Sequence, residues 1–150
     1  MNYATRDDLA AIGLSSKALA GIDATRQIKA LEIASSSVAG YLNRRFTLPL
    51  ILWGADITRA VCILAAYDLR VSSGFNPQPG SADEELRLRV EEVTRWLELI
   101  ARGTVVPFGI TDSSVNPAPS AGGGSSAAES QRPRGWSDGG GYGYGNADDD

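Results

Sequence analysis

The chain has 150 residues, 43% of them hydrophobic and 21% charged, with 14 Lys and Arg against 18 Asp and Glu. That length bounds it to one modest core. With no His, one Cys and one Met, the commonest general base and zinc ligand is missing and no thiolate cluster can form, so no catalytic, cofactor or metal site is expected.

Cys62 has no partner for an internal disulfide, which points to synthesis in a reducing cytoplasm. Asp7 and Asp8 interrupt any apolar run near the start, and no stretch approaches the roughly 20 residues needed to span a bilayer. Neither a leader peptide nor a membrane helix is expected. The formal charge of -4 is unevenly placed. Residues 1–103 carry 12 acidic and 12 basic side chains, whereas 104–150 carry six acidic and two basic. Composition shifts at the same point. After Gly103, 10 of 47 residues are Gly and four are Pro, a content that cannot bury enough apolar surface to offset ordering entropy. The expected organisation is a helical domain over 1–103 and a low-complexity arm over 104–150 that orders only on a partner.

Along the chain, Thr5 and Asp8 form a capping-box variant ahead of Leu9, Ala10 and Ile12, predicting a short first helix that ends at Gly13. Asp23 caps a second helix running to about Arg44, with Ile28, Leu31, Ala34, Val38, Tyr41 and Leu42 at three- and four-residue steps. Residues 46–53 are too apolar for a two-sided strand and are broken by Pro49, so they read as an extended connector. Residues 54–72 resume helical spacing with Ile57, Val61, Leu64, Ala65 and Leu69, and Gly74, Pro77, Pro79 and Gly80 end that helix. Ser81 and Glu84 open a fourth helix whose seam, Leu86, Val90, Val93, Leu97 and Ile100, is expected at the centre of the core. Glu91 with Arg95 and Glu98 with Arg102 are spaced as i,i+4 pairs. The fold class that follows is all-α: a small antiparallel helical bundle with an extended connector and a long Gly/Pro-rich C-terminal arm.

The polar constellations have plain readings. Asp7, Asp8, Glu84 and Glu85 sit in first turns, where the helix dipole accounts for them. Gly122, Gly123 and Gly124 follow no strand and precede no Gly-Lys-Ser or Gly-Lys-Thr, so they are no phosphate loop. Cys62 reads as a small buried hydrophobe. Arg44 and Arg45 read either as helix-end charges in solvent or as contacts to a neighbouring subunit or a phosphate. Balanced charge over 1–103 argues against sequence-specific DNA binding.

Partner contacts are expected at two places. The connector, through Phe46, Leu48, Leu50, Ile51 and Trp53, is longer and more apolar than a three-helix core can cover. In the arm, Val105, Val106, Phe108 and Ile110 form a first anchor, while Trp136, Tyr142 and Tyr144 stand among glycines as anchors for grooves on another protein or as mere low-complexity residues. Asp148, Asp149 and Asp150 meet a basic surface or stay solvated.

Several stretches together resemble the Mu-like tailed-phage head-tail connector proteins: Tyr3-Ala4-Thr5-x-x-Asp8-Leu9, Tyr41-Leu42-x-x-Arg45-Phe46-x-Leu48-Pro49-Leu50, Arg59-Ala60, Leu64-Ala65-x-Tyr67-Asp68-Leu69 and Trp96-Leu97-x-x-Ile100-Ala101-x-Gly103. The resemblance covers about 3–103 and places 104–150 outside the pattern. It implies a mostly helical adaptor subunit of the virion, made in the bacterial host cytoplasm, that forms a homo-oligomeric ring, dodecameric by analogy, at the head-tail junction. Such a ring joins the portal to the tail or a stopper protein and surrounds the channel through which DNA passes without specific binding; the arm docks on the portal. The rival reading is a non-enzymatic helical interaction module that binds one protein partner through its arm.

Overall fold

The computed structural model describes residues 1–114. Trp136, Tyr142, Tyr144 and the acidic residues 148–150 lie outside the described residues. Chain order is α1 (Arg6–Asp8), a π-helical turn (Leu9–Gly13), α2 (Ser16–Ala20), α3 (Ala24–Leu42), β1 (Leu50–Leu52), α4 (Ala55–Val71), α5 (Ala82–Ala101) and β2 (Thr111–Asp112). The fold is mainly α. The second, third and fourth expected helices are α3, α4 and α5.

Local chemistry sets the helix starts. The Thr5 hydroxyl accepts from the Asp8 amide at 3.2 Å while the Asp8 carboxylate accepts from the Thr5 amide at 2.8 Å, a reciprocal box. That hydrogen bonding holds the Asp8 carboxyl below its ordinary range. Asp23 accepts from the Thr25 amide at 2.9 Å and is likewise lowered. At α5 the Ser81 hydroxyl accepts from the Glu84 amide at 3.1 Å, but the Glu84 carboxylate takes the Gly80 amide instead of Ser81's, because the latter already donates to the Gln78 carbonyl. The box is opened by one residue, and both orphan donors are still satisfied.

The first helix differs from expectation. Only three residues are α-helical, and the chain then widens into a π turn in which the Leu14 amide reaches back five residues to Leu9. Close packing accompanies it: a methyl group on Gly13 would lie 2.8 Å from Leu9 Cδ1, 3.0 Å from the Cys62 carbonyl and 3.2 Å from Ala66 Cβ. The turn is thus laid directly against α4. Helix α2, unexpected from sequence, is capped by Ser15 and held by the buried Gln27, whose amide donates to the carbonyls of Leu19 and Ile22 and accepts from Arg6.

The three long helices run up, down and up. Arg26 at the start of α3 donates to Ser72 at the end of α4 at 2.9 Å, and Arg70 near the end of α4 pairs with Asp83 at the start of α5. Helices α3 and α5 are therefore parallel to each other, with their C-termini at one end of the bundle. Helix α4 is the centre of the core, since Ile57, Ala60, Val61, Cys62, Ile63, Ala65, Ala66 and Leu69 are buried around most of its circumference. This corrects the placement of the α5 seam there. Leu97 and Ile100 are fully buried and Leu86 and Val93 buried, but Val90 is only half-buried, as expected for a single stripe facing a neighbour. Two further expectations are corrected. Ile28 faces solvent on α3, and Glu91 pairs with Arg87 one turn earlier, not with Arg95.

The connector contains a short strand after all. β1 pairs antiparallel with β2, Leu50 opposite Asp112 and Leu52 opposite Thr111. Two residues advance on one strand for one on the other, so Ile51 is the extra residue of a bulge. Residues 104–112, expected in the arm, are thereby joined to the helical body.

Candidate interaction surface

The bulge decides what the connector shows to solvent. Leu50 is 1% exposed and belongs to the core, whereas Ile51 and Leu52 are both 58% exposed because the inserted residue breaks the alternation of faces. The segment that runs into β2 carries Val106, 62% exposed, and Phe108, 89% exposed, on either side of the buried Pro107. The Phe108 carbonyl sits where a side chain at residue 54 would begin, so Gly54 allows the two backbones to touch. Ile51 and Leu52 on β1, with Val106 and Phe108 on the segment that runs into β2, thus make up an exposed apolar ribbon. An apolar side chain as exposed as Phe108 gains nothing from folding.

Other residues expected at the interface serve the body. Trp53 is half-buried, packs edge-on against Tyr3 at 5.1 Å between ring centres, and donates from Nε1 to the Tyr3 carbonyl at 3.1 Å. Thr58 donates to the same carbonyl, and the Tyr3 amide donates to the buried Ser35 hydroxyl. Burial pushes the Tyr3 phenol up. Phe46 and Leu48 are half-buried against the core. Leu52 and Val106 complete the apolar ribbon instead. Of the first arm anchor, Val105 and Ile110 pack on the core, while Val106 and Phe108 do not.

A second surface lies where α3 and α5 end. Tyr41, Arg44, Glu98, Ala101 and Arg102 line one groove, and the Arg45 guanidinium lies over Gly103, whose φ of +80° and missing side chain make room for it. Three arginines therefore gather at the negative ends of two helix dipoles. Arg102 shares the Glu98 carboxylate at 3.5 Å; among the described residues neither Arg44 nor Arg45 forms an ion pair. Sequence spacing showed Arg44 and Arg45, but not that Arg102 joins them from 57 positions away.

The remaining chemistry is structural. Cys62 is wholly buried, and burial, with the Asp8 carboxylate adding, pushes its thiol up to about 12. Asp83 is held below the usual carboxylate range, first by the Asn76 amide at 3.0 Å and then by Arg70. Among the described residues no group of three His, Cys, Asp or Glu side chains is placed to hold a metal, and no helix is long and apolar enough to cross a membrane.

The architecture defines a small mainly helical protein with an apolar ribbon and an arginine cluster on its surface. Its sequence places it among phage proteins: residues 3–127 match the family described as Bacteriophage Mu, Gp36, and the chain belongs to that family. It is similar to the Mu-like prophage FluMu protein gp36 of Haemophilus influenzae, with 31% identity over 91 residues, 61% of this chain and 58% of that protein. It is also similar to Gene product J of Escherichia phage Mu, with 33% identity over 117 residues, 71% of this chain and 77% of that protein. The matched region thus spans little more than half of the Haemophilus relative. The family match continues past Gly103 to residue 127, so the pattern extends beyond the boundary expected from the resemblance.

The stretch Tyr41-Leu42-x-x-Arg45-Phe46-x-Leu48-Pro49-Leu50, the most specific part of the resemblance, is architectural. Leu42 and Leu50 are core, Phe46 and Leu48 pack against it, and Arg45 covers the end of α5. It joins the end of α3 to the ladder and so sets where the ribbon emerges.

Proposed function

We propose that the protein is a virion structural protein, a head-tail connector subunit that assembles with copies of itself into a ring between the capsid portal and the tail or a stopper, with DNA passing through the channel. The observation that carries this reading is the ribbon. A braced body presents Ile51, Leu52, Val106 and Phe108 to solvent, and apolar side chains of that kind on a rigid support are what protein interfaces use as anchors. Membership in a phage family and the balanced charge of residues 1–103 support it, because a channel wall with a large basic surplus would hold phosphates and brake a sliding duplex.

The test is light scattering coupled to size-exclusion chromatography, on the full chain alone and with a purified portal ring. The portal is expected to recruit a ring of subunits, and the double variant Ile51→Ser with Phe108→Ser is expected to stay folded by circular dichroism while failing to join. A wild-type chain that ignores the portal, or a double variant that assembles normally, contradicts the reading. Duplex DNA at moderate salt is expected to give no gel shift.

A further inference from the structure

We infer that two copies of the chain pair about a two-fold axis before any portal is met, the Phe108 side chain of each seated in a groove between α4 and α5 of the other. This pairing stands apart from the ring reading. The groove, of about 180 Å³, is lined by Asp56, Arg59 and Ala60 of α4 and by Glu92, Val93 and Trp96 of α5. Ala60 and Val93 are buried and Trp96 is half-buried, so apolar groups lie within a charged rim. An apolar cavity of about 150 Å³ takes up benzene. The groove therefore has room for one benzyl group, and the chain carries such a group without a seat of its own: Phe108 is 89% exposed.

Projection and groove adjoin on the same face. The point at which a side chain on Gly54 would begin lies against both the Phe108 carbonyl and Asp56 Oδ1, so the backbone that carries Phe108 borders the edge of the groove. A projection and a recess side by side are self-complementary under a two-fold rotation, since residue i of one copy meets residue j of the other while j meets i. The rim favours the same occupant. Among the described residues Asp56, Arg59 and Glu92 form no ion pair. A rim of one cation and two carboxylates meets opposite charge when an identical rim is turned onto it, whereas a partner surface of uniform charge meets like charge as well. A second copy is therefore the occupant whose shape and charge both answer the site.

The experiment is a concentration series of the full chain without a portal, read by light scattering coupled to size-exclusion chromatography. One chain is expected to pass to two and no further. Phe108→Ser, at a solvent-facing side chain, is expected to keep the circular dichroism of the parent and to raise the dissociation constant of the pair roughly a hundredfold, about tenfold for each of two lost anchors. Arg59→Glu, also at an exposed position, leaves the rim wholly acidic and is expected to weaken the pair in low salt and less so in 1 M salt, where the screening length falls to about 3 Å. Contact is read by mixing nitrogen-15-labelled parent chains with unlabelled chains that carry a nitroxide on Arg95→Cys, next to Trp96; Cys62, wholly buried, takes no label. The amides of Val106, Phe108 and Gly109 are expected to lose intensity. A chain that stays single at every concentration, one that grows beyond two, a Phe108→Ser variant that pairs as tightly as the parent, or undiminished amides at 106–109 would each overturn the proposal. A chain that stays single yet joins a portal overturns the pairing and leaves the ring reading standing.

Discussion

Arg70 donates two hydrogen bonds to one carboxylate oxygen of Asp83, from Nε at 2.9 Å and from Nη2 at 2.6 Å, while the other oxygen accepts from the Asn76 amide. One carboxylate thus clamps the end of α4, the start of α5 and the loop between them. The loop carries Gly74, Pro77, Pro79 and Gly80, residues that make a turn without fixing the angle between the helices it joins. The clamp supplies that angle.

Asp83→Asn is therefore expected to lower the thermal midpoint at neutral pH, read by circular dichroism. Because the folded-state pKa lies below the unfolded value of about 3.9, the contribution is present above that value and is lost as pH falls through the folded pKa. The gap between the variant and the parent is expected to close in strongly acidic buffer. An equal gap at all pH values would mean that the charge is irrelevant to the clamp.

Two glycines give opposite outcomes for the same substitution. At Gly13 a methyl group meets Leu9, the Cys62 carbonyl and Ala66, so Gly13→Ala is expected to cost about 1–3 kcal/mol by overpacking. At Gly40, exposed in α3, nothing lies within 4 Å, and Gly40→Ala is expected to stabilise by about 0.5–1 kcal/mol through backbone entropy. Urea unfolding of the two variants side by side reads both signs.

The α5 seam grades from core to margin. Leu97→Ala is expected to cost about 2–5 kcal/mol by lost burial plus a cavity. Val90→Ala, removing two half-exposed methyl groups, is expected to cost about 0.8 kcal/mol at about 0.8 per fully buried methylene. Equal urea midpoints for the two variants would place Leu97 on the surface.

Cys62 is expected to be inert toward Ellman's reagent in the folded protein at pH 8 and to react at once in concentrated urea. With the thiol pushed up to about 12 and its sulfur buried, no nucleophilic thiolate exists until the chain opens. Rapid reaction in native buffer would show that α4 is not sealed by the π turn.

Much of this molecule is legible in the sequence wherever the deciding contact is local. Thr5 with Asp8, Asp23 with Thr25 and Ser81 with Glu84 act across two or three residues, so the caps and the three long helices follow from spacing alone. The apolar stripe of α5 is likewise a property of periodicity. What periodicity misled was rank: a clean seam marks a helix with one buried face, while the central helix, α4, buries a broader set of positions, Ile57, Ala60 to Ile63, Ala65, Ala66 and Leu69, because it packs against neighbours on more than one side. The π turn and α2 were invisible because the packing of Gly13 on α4 and the bonds of Gln27 to Leu19 and Ile22 depend on how elements meet.

The surfaces belong to the tertiary structure. The sequence determined that residues 46–53 are apolar and extended, and that Arg44 and Arg45 follow a helix. It left open which connector residues face out, since that depends on register with Thr111 and Asp112, some 60 positions away, and on a bulge that buries Leu50 and exposes both Ile51 and Leu52. Nor does it place Arg102 beside Arg44, because only the parallel course of α3 and α5 brings their ends together. Short-range hydrogen bonds and helical period are written in neighbouring residues. The ribbon and the arginine cluster arise from pairings between residues far apart in the chain, and those are fixed only when the helices have packed.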